Sequence, residues 1–106
     1  MPLDPSTVTP LDRPVPASPG AVASDVLLKA AGGSATLFVV AEGGGLGEHA
    51  TPHHALFAVL AGEAEVVLDG ATHAVCAGDA IRFPARAPHS VRAVSDLRFL
   101  LVLLRD

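Results

Sequence analysis

A chain of 106 residues is long enough for one domain with a buried core and leaves no room for a second domain. Half of the residues are hydrophobic, but no apolar run approaches the roughly 20 residues that cross a bilayer, so we expect no membrane partner. The net charge of −4 argues against general nucleic-acid binding, which needs basic surface to neutralise phosphates. With Cys76 as the single cysteine, an intramolecular disulfide is impossible, and we expect a cytoplasmic protein.

The first segment of the chain differs in composition from the rest. Residues 1–20 contain many prolines and few large apolar side chains. Because proline lacks the amide donor that a sheet interior needs, these residues are predicted to form an extended arm, either mobile or laid across a neighbouring surface. The folded domain is expected to comprise residues 21–106.

From residue 21 onward, short apolar runs are separated by turn signals, which is typical of β-strands. Glu63 to Leu68 alternates between polar and apolar positions, and Asp69-Gly70 is a strong two-residue hairpin turn. The sequence contains no segment with convincing helical periodicity. The predicted strands cover residues 26–28, 35–40, 56–60, 63–68, 71–76, 80–83, 90–94 and 97–104, whereas the glycines at 43–47 suggest a flexible loop. Eight or nine short strands predict an all-β sandwich or barrel.

Histidines gather in two places that bear on function. His49, His53 and His54 lie within six residues, and His89 follows Pro88 much later in the chain. Histidine is the commonest protein ligand for transition metals. The sequence therefore raises the hypothesis that the two segments form two walls of one metal site.

The order of these features resembles the small single-domain cupins over roughly residues 35–104. His49 matches the first histidine of the first cupin motif, and Val59-Leu60-Ala61-Gly62 matches its closing strand and glycine. Gly78, Pro84 and His89 match the skeleton of the second motif. The resemblance implies a cupin-type double-stranded β-helix, a jelly-roll barrel in a single domain.

Four positions depart from the motifs of that family, one of them Ala93, where the second motif has an asparagine. The second histidine of the first motif falls on Thr51, and its glutamate falls on Ala55. Arg86 occupies the position of the glycine in the second motif. His53 and His54 lie beside the substituted positions, so either could supply the missing imidazole. Strand parity favours His53, which shares a face with His49 if the segment is extended.

The resemblance implies a divalent transition metal held by His49, His89 and either His53 or His54. Imidazole does not discriminate among Zn, Cu, Fe and Ni, and Mn is also possible, so the metal stays open. We expect a small-molecule ligand or substrate to bind there. Arg86 would hold an anionic group, and Phe57 and Phe83 would line the pocket.

These residues leave open whether the protein is an enzyme and which reaction it would catalyse. A metal-dependent enzyme, dioxygenase-like or related, is one hypothesis, and a non-catalytic sensor or binding module is another. The missing glutamate favours the second. A third alternative is a metal-free dimeric barrel, because the strand predicted at residues 97–104 is apolar on both faces and predicts a homodimer.

Overall fold

A computed structural model describes residues 2–15 and 22–105 of the chain. In these residues every regular element is a β-strand, so the all-β prediction is confirmed. No helix in the described ranges is long and apolar enough to cross a membrane. The nine strands are β1 (Val22–Ala30), β2 (Gly33–Val40), β3 (Gly45–His49), β4 (His54–Ala61), β5 (Glu63–Leu68), β6 (Ala71–Cys76), β7 (Ala80–Phe83), β8 (His89–Ala93) and β9 (Leu97–Leu104).

The strands form two antiparallel sheets that face each other. One has the order β1-β2-β9-β4-β7 and the other the order β3-β8-β5-β6. Side chains alternate between the two faces of each strand, so one face of each sheet turns inward. This arrangement confirms the jelly-roll barrel that the cupin resemblance implies.

The core between the sheets is built around aromatic rings. Phe57, Phe83 and Phe99 are almost completely buried, and the Phe57 ring centroid lies 4.4 Å from that of Phe99. Phe38 pairs with Phe99 across β2 and β9, and the two rings stack at 4.9 Å. Truncating one of these rings to alanine would cost about 3–5 kcal/mol of stability.

The glycine-rich stretch before the histidines is partly a strand, and the prediction of a flexible loop at residues 43–47 is wrong for its second half. Gly45 to His49 form β3, which pairs with β8 at the edge of its sheet. A Cβ on Gly45 would lie 2.1 Å from the carbonyl oxygen of Val91. Gly45 therefore permits the close approach of β3 and β8. From composition alone, this role of a glycine cannot be distinguished from flexibility.

The proline-rich arm lies against its own sheet in residues 2–15. The Leu3 amide donates to the Leu27 carbonyl at 2.7 Å, and the Arg98 guanidinium donates to the carbonyls of Leu11 and Arg13. Arg13 also forms an ion pair with Asp25. The predicted boundary between arm and barrel, at residues 20 and 21, lies outside the described residues.

Candidate functional site

Two of the four histidines singled out in the sequence meet across neighbouring strands. His49 at the end of β3 is the register partner of His89 at the start of β8. Their Nε2 atoms lie 3.1 Å apart, and the ring centroids are 4.3 Å apart. The two cupin-like motifs therefore converge on one point, which we call the histidine pair.

Backbone carbonyls fix the orientation of both rings in the histidine pair. Nδ1 of His49 lies 2.8 Å from the Gly47 carbonyl oxygen, and Nδ1 of His89 lies 3.0 Å from the Ala87 carbonyl oxygen. Since a carbonyl oxygen can only accept, each Nδ1 carries the proton and each neutral ring keeps an unprotonated Nε2. When both rings are neutral, two nitrogen lone pairs face each other, and a shared cation, a proton or a metal ion, would satisfy both.

The surroundings of His89 favour the neutral form of its ring. Burial lowers the pKa of His89, and the neighbouring His49 acts in the same direction, while the hydrogen bond to Ala87 opposes them. The ring stacks on Phe83 with centroids 4.3 Å apart. A neutral imidazole is the form that coordinates a metal.

The geometry of the histidine pair fits a transition metal. With metal–nitrogen bonds of about 2.0–2.1 Å, two ligands of one ion lie about 2.9 Å apart at a right angle and about 3.4 Å apart at the tetrahedral angle. The observed 3.1 Å falls between these limits. Metal-ligating histidines also commonly donate their other ring N–H to a backbone carbonyl, as both members of the pair do.

The other two histidines are not part of this group. Since Ala55 and Phe57 point into the core from β4, the alternation places His54 on the outer face, where its Nδ1 lies 3.5 Å from Nη2 of Arg82. His53 lines a separate cavity beside Lys29 and Arg105. Among residues 2–15 and 22–105, no three His, Cys, Asp or Glu side chains are grouped as a metal site. The structure therefore brings together two protein ligands and leaves further coordination positions to solvent or a ligand.

Phe83, which stacks on His89, belongs to a row of apolar side chains at this end of the barrel. On one sheet, the register places Leu103, Ala55 and Phe83 side by side on the inner face. On the other sheet, Leu68 is the partner of His89. A ligand at this mouth would thus meet two imidazoles on one side and a largely apolar wall on the other.

Arg86 holds an unusual backbone conformation next to the site. Its φ angle is +69°, in the left-handed region that favours glycine, and its amide donates to the Thr51 carbonyl at 2.7 Å. That hydrogen bond joins the loop before His89 to the corner that follows His49. The Arg86 side chain is exposed.

The two phenylalanines that were predicted to line the pocket lie in different surroundings. Phe83 contacts His89, whereas Phe57 is completely buried in the core.

Sequence reasoning missed the two carbonyls that orient the rings. Each comes from the residue two positions before its histidine, Gly47 for His49 and Ala87 for His89. A backbone carbonyl has no side-chain signature. The only available signals were Gly47, which allows many backbone conformations, and Pro88, which restricts them. Neither residue type reveals where a carbonyl points.

Solved structures of other proteins share this architecture. A structure of a protein of unknown function from Streptococcus pyogenes is 29% identical, with a TM-score of 0.89 and coverage of 98% of this chain and 91% of that one. A cupin superfamily protein from Desulfitobacterium hafniense is 24% identical, with a TM-score of 0.90 and coverage of 100% and 97%.

More distant structural neighbours include an enzyme. The DMSP lyase of Ruegeria pomeroyi is 22% identical, with a TM-score of 0.74 and coverage of 80% of this chain and 47% of that one, a likeness of fold alone. No curated protein matches the chain. The family model Cupin_2, described as a cupin domain, matches residues 36–103, which include both histidine-bearing strands. The chain therefore belongs to the Cupin_2 family of cupin domains.

Proposed function

We propose that this cupin domain binds a divalent transition metal through His49 and His89 at the mouth of the barrel, and that a small molecule completes the coordination. The observation that carries this proposal is the arrangement of the histidine pair. Both Nδ1 atoms are committed to carbonyl oxygens, and both Nε2 atoms face each other at 3.1 Å. A shared metal ion satisfies both lone pairs, and when bound it supplies a Lewis acid at the mouth of the barrel.

The proposed ligand is a small anion. Arg86 offers an exposed guanidinium from the loop that leads into His89, and a guanidinium can form a bidentate pair with a carboxylate. Phe83, which is almost completely buried, stacks on the ring of His89 and holds it in place. The apolar wall formed by Leu103 and Ala55 suits the hydrocarbon part of such a ligand.

Binding is better supported than catalysis. General acid–base chemistry needs a positioned proton carrier, and the glutamate position of the first motif is Ala55, whose side chain cannot carry a proton. No described carboxylate is grouped with the histidine pair. A metal-dependent enzyme would have to use solvent or the substrate itself as the base, so we place a sensing or binding role first.

The test is the metal content of the protein purified without chelators. We expect about one equivalent of a transition metal per chain in the wild type. His49→Ala and His89→Ala should each weaken metal affinity by at least about a hundredfold, more than the loss of an outer-shell partner usually costs. Elemental analysis measures the metal, and far-ultraviolet circular dichroism confirms that the variants are folded.

Matched controls come from the remaining histidines. His73 is exposed on β6, so His73→Ala should keep the metal. Metal loss in His53→Ala would add that residue to the ligand set. A wild-type protein without stoichiometric metal would overturn the proposal.

We also propose that the domain forms a homodimer in the cytoplasm. Apolar side chains on the outer face of the five-stranded sheet support this assembly. Leu28, Ala35, Val102 and Leu56 lie in one row across four strands, and Leu104 extends the row at the end of β9. Leu28, Leu56 and Leu104 are all substantially exposed in the single chain. We call these five residues the outer apolar face.

A further inference from the structure

A second candidate site lies at the same end of the barrel, on the inner face of β1, β2 and β9. The register places Lys29 beside Ser34, and Ser34 beside Leu103. His53, from the corner before β4, and Arg105, after β9, complete a cavity of about 70 Å³. We call it the cationic cavity. Neither His49 nor His89 lines it.

The charge of this cavity has the opposite sign to that of the chain as a whole. Lys29 and Arg105 are cationic side chains, and no described carboxylate lines the cavity. Within residues 2–15 and 22–105, neither of them forms an ion pair. Arg13 and Arg92, by contrast, are paired with Asp25 and Glu65. Two cations without an ion-pair partner among the described residues therefore share the cationic cavity in a protein of net charge −4.

The polar side chains around the cavity can all donate hydrogen bonds. Lys29 and Arg105 donate only, the Ser34 hydroxyl can donate, and His53 donates from at least one ring nitrogen. The Arg105 backbone is held by its amide, which donates to the Gly32 carbonyl at 2.9 Å. A liquid water occupies about 30 Å³, so a cavity of about 70 Å³ has room for a tetrahedral oxyanion.

From this combination we propose that the cationic cavity binds a phosphate-like oxyanion, either the free ion or the phosphate group of a monoester. Lys29 and Arg105 contact the anionic oxygens directly, and Ser34 and His53 donate the remaining hydrogen bonds. The site stands on these residues and does not require a metal at the histidine pair.

The test is an NMR titration of isotope-labelled, metal-free protein with inorganic phosphate at constant ionic strength. We expect saturable shifts of the amide signals of Lys29, Ser34, His53 and Arg105 in the millimolar range. Lys29→Gln and Arg105→Gln should each weaken the affinity by about tenfold, because each removes a charge-assisted hydrogen bond. Arg92→Gln removes the same charge from the outer surface of the other sheet and should leave the affinity within about twofold.

Two outcomes would overturn the proposal. The first is that sodium chloride reproduces the shifts, or that phosphate produces none that saturate. The second is that His89→Ala abolishes binding while Lys29→Gln does not, which would place the anion at the histidine pair. A phosphomonoester added in place of phosphate then distinguishes the two sources: stronger binding shows that the site takes an esterified group, and weaker binding shows that it takes the free ion.

Discussion

At the scale of single residues, Arg86 combines a strained backbone conformation with an exposed, charged side chain. A non-glycine residue with φ near +69° costs on the order of 1 kcal/mol, and the hydrogen bond from its amide to Thr51 holds it in place. Glycine, which the family motif has at this position, would avoid that cost. Arg86 therefore places an exposed guanidinium at a backbone position that glycine would occupy at lower cost.

Comparing two substitutions at this position separates the backbone from the side chain. Arg86→Gly should raise the free energy of unfolding by about 0.5–1 kcal/mol relative to Arg86→Ala, because only glycine relieves the left-handed conformation. Both variants lose the guanidinium and should bind a carboxylate ligand equally weakly. Denaturant unfolding and ligand titration measure the two effects. Arg86→Gly proving less stable than Arg86→Ala would contradict the argument.

At the scale of the elements, the junction between β4 and β5 depends on one glycine. Gly62 is the only residue between the two strands and has a φ of +83°. A Cβ added there would lie 2.1 Å from the backbone oxygen of Asp96, in the turn before β9. Backbone cannot move away as a flexible side chain can, so the close approach of these segments requires glycine.

Gly70 provides a matched control for this junction. It also has a φ of +83°, but an added Cβ would meet nothing within 4 Å. We expect Gly70→Ala to cost about 1 kcal/mol through backbone strain alone and Gly62→Ala to cost about 3 kcal/mol or more through strain and overlap. Chemical denaturation gives both values. Equal losses for the two variants would show that the overlap relaxes without cost.

At the scale of the whole molecule, the outer face of the five-stranded sheet has a buried part and an exposed part. Leu37 points to this face yet is completely buried, and its register partner Asp25 is bound by Arg13 of the arm. The arm is therefore bound to the part of the sheet that holds Leu37. The outer apolar face lies on the same sheet and keeps large exposed side chains, which is the surface that a second copy would bury.

Charge placed on the outer apolar face should prevent dimerisation. Leu28→Glu and Leu56→Glu are expected to shift the protein from dimer to monomer at micromolar concentration, because each would bury an unpaired carboxylate at the interface. Val8 is 97% exposed in the arm, so Val8→Glu adds the same charge elsewhere and should leave the dimer intact. Sedimentation velocity reports the mass. A wild-type monomer at this concentration would refute the assembly.

Most of the fold could be predicted from local patterns. The alternation of Glu63 to Leu68 and the Asp69-Gly70 turn predict a hairpin whose two strands pair across that turn, and the structure confirms it as β5 and β6. The motif order likewise identified the family. β3 was missed because Gly45 becomes part of a strand only through its distant partner β8. Local propensity holds no information about such a partner.

The candidate site shows the same division between sequence and tertiary structure. The sequence by itself determined that His49 and His89 belong to two motifs of one barrel, because residue type and spacing carry that information. Tertiary structure alone decided that their Nε2 atoms meet at 3.1 Å, that His54 turns to the outer face and that His53 lies beside Lys29 and Arg105. The physical reason is that strand register and backbone hydrogen bonds set these directions, and both depend on residues far away in the chain.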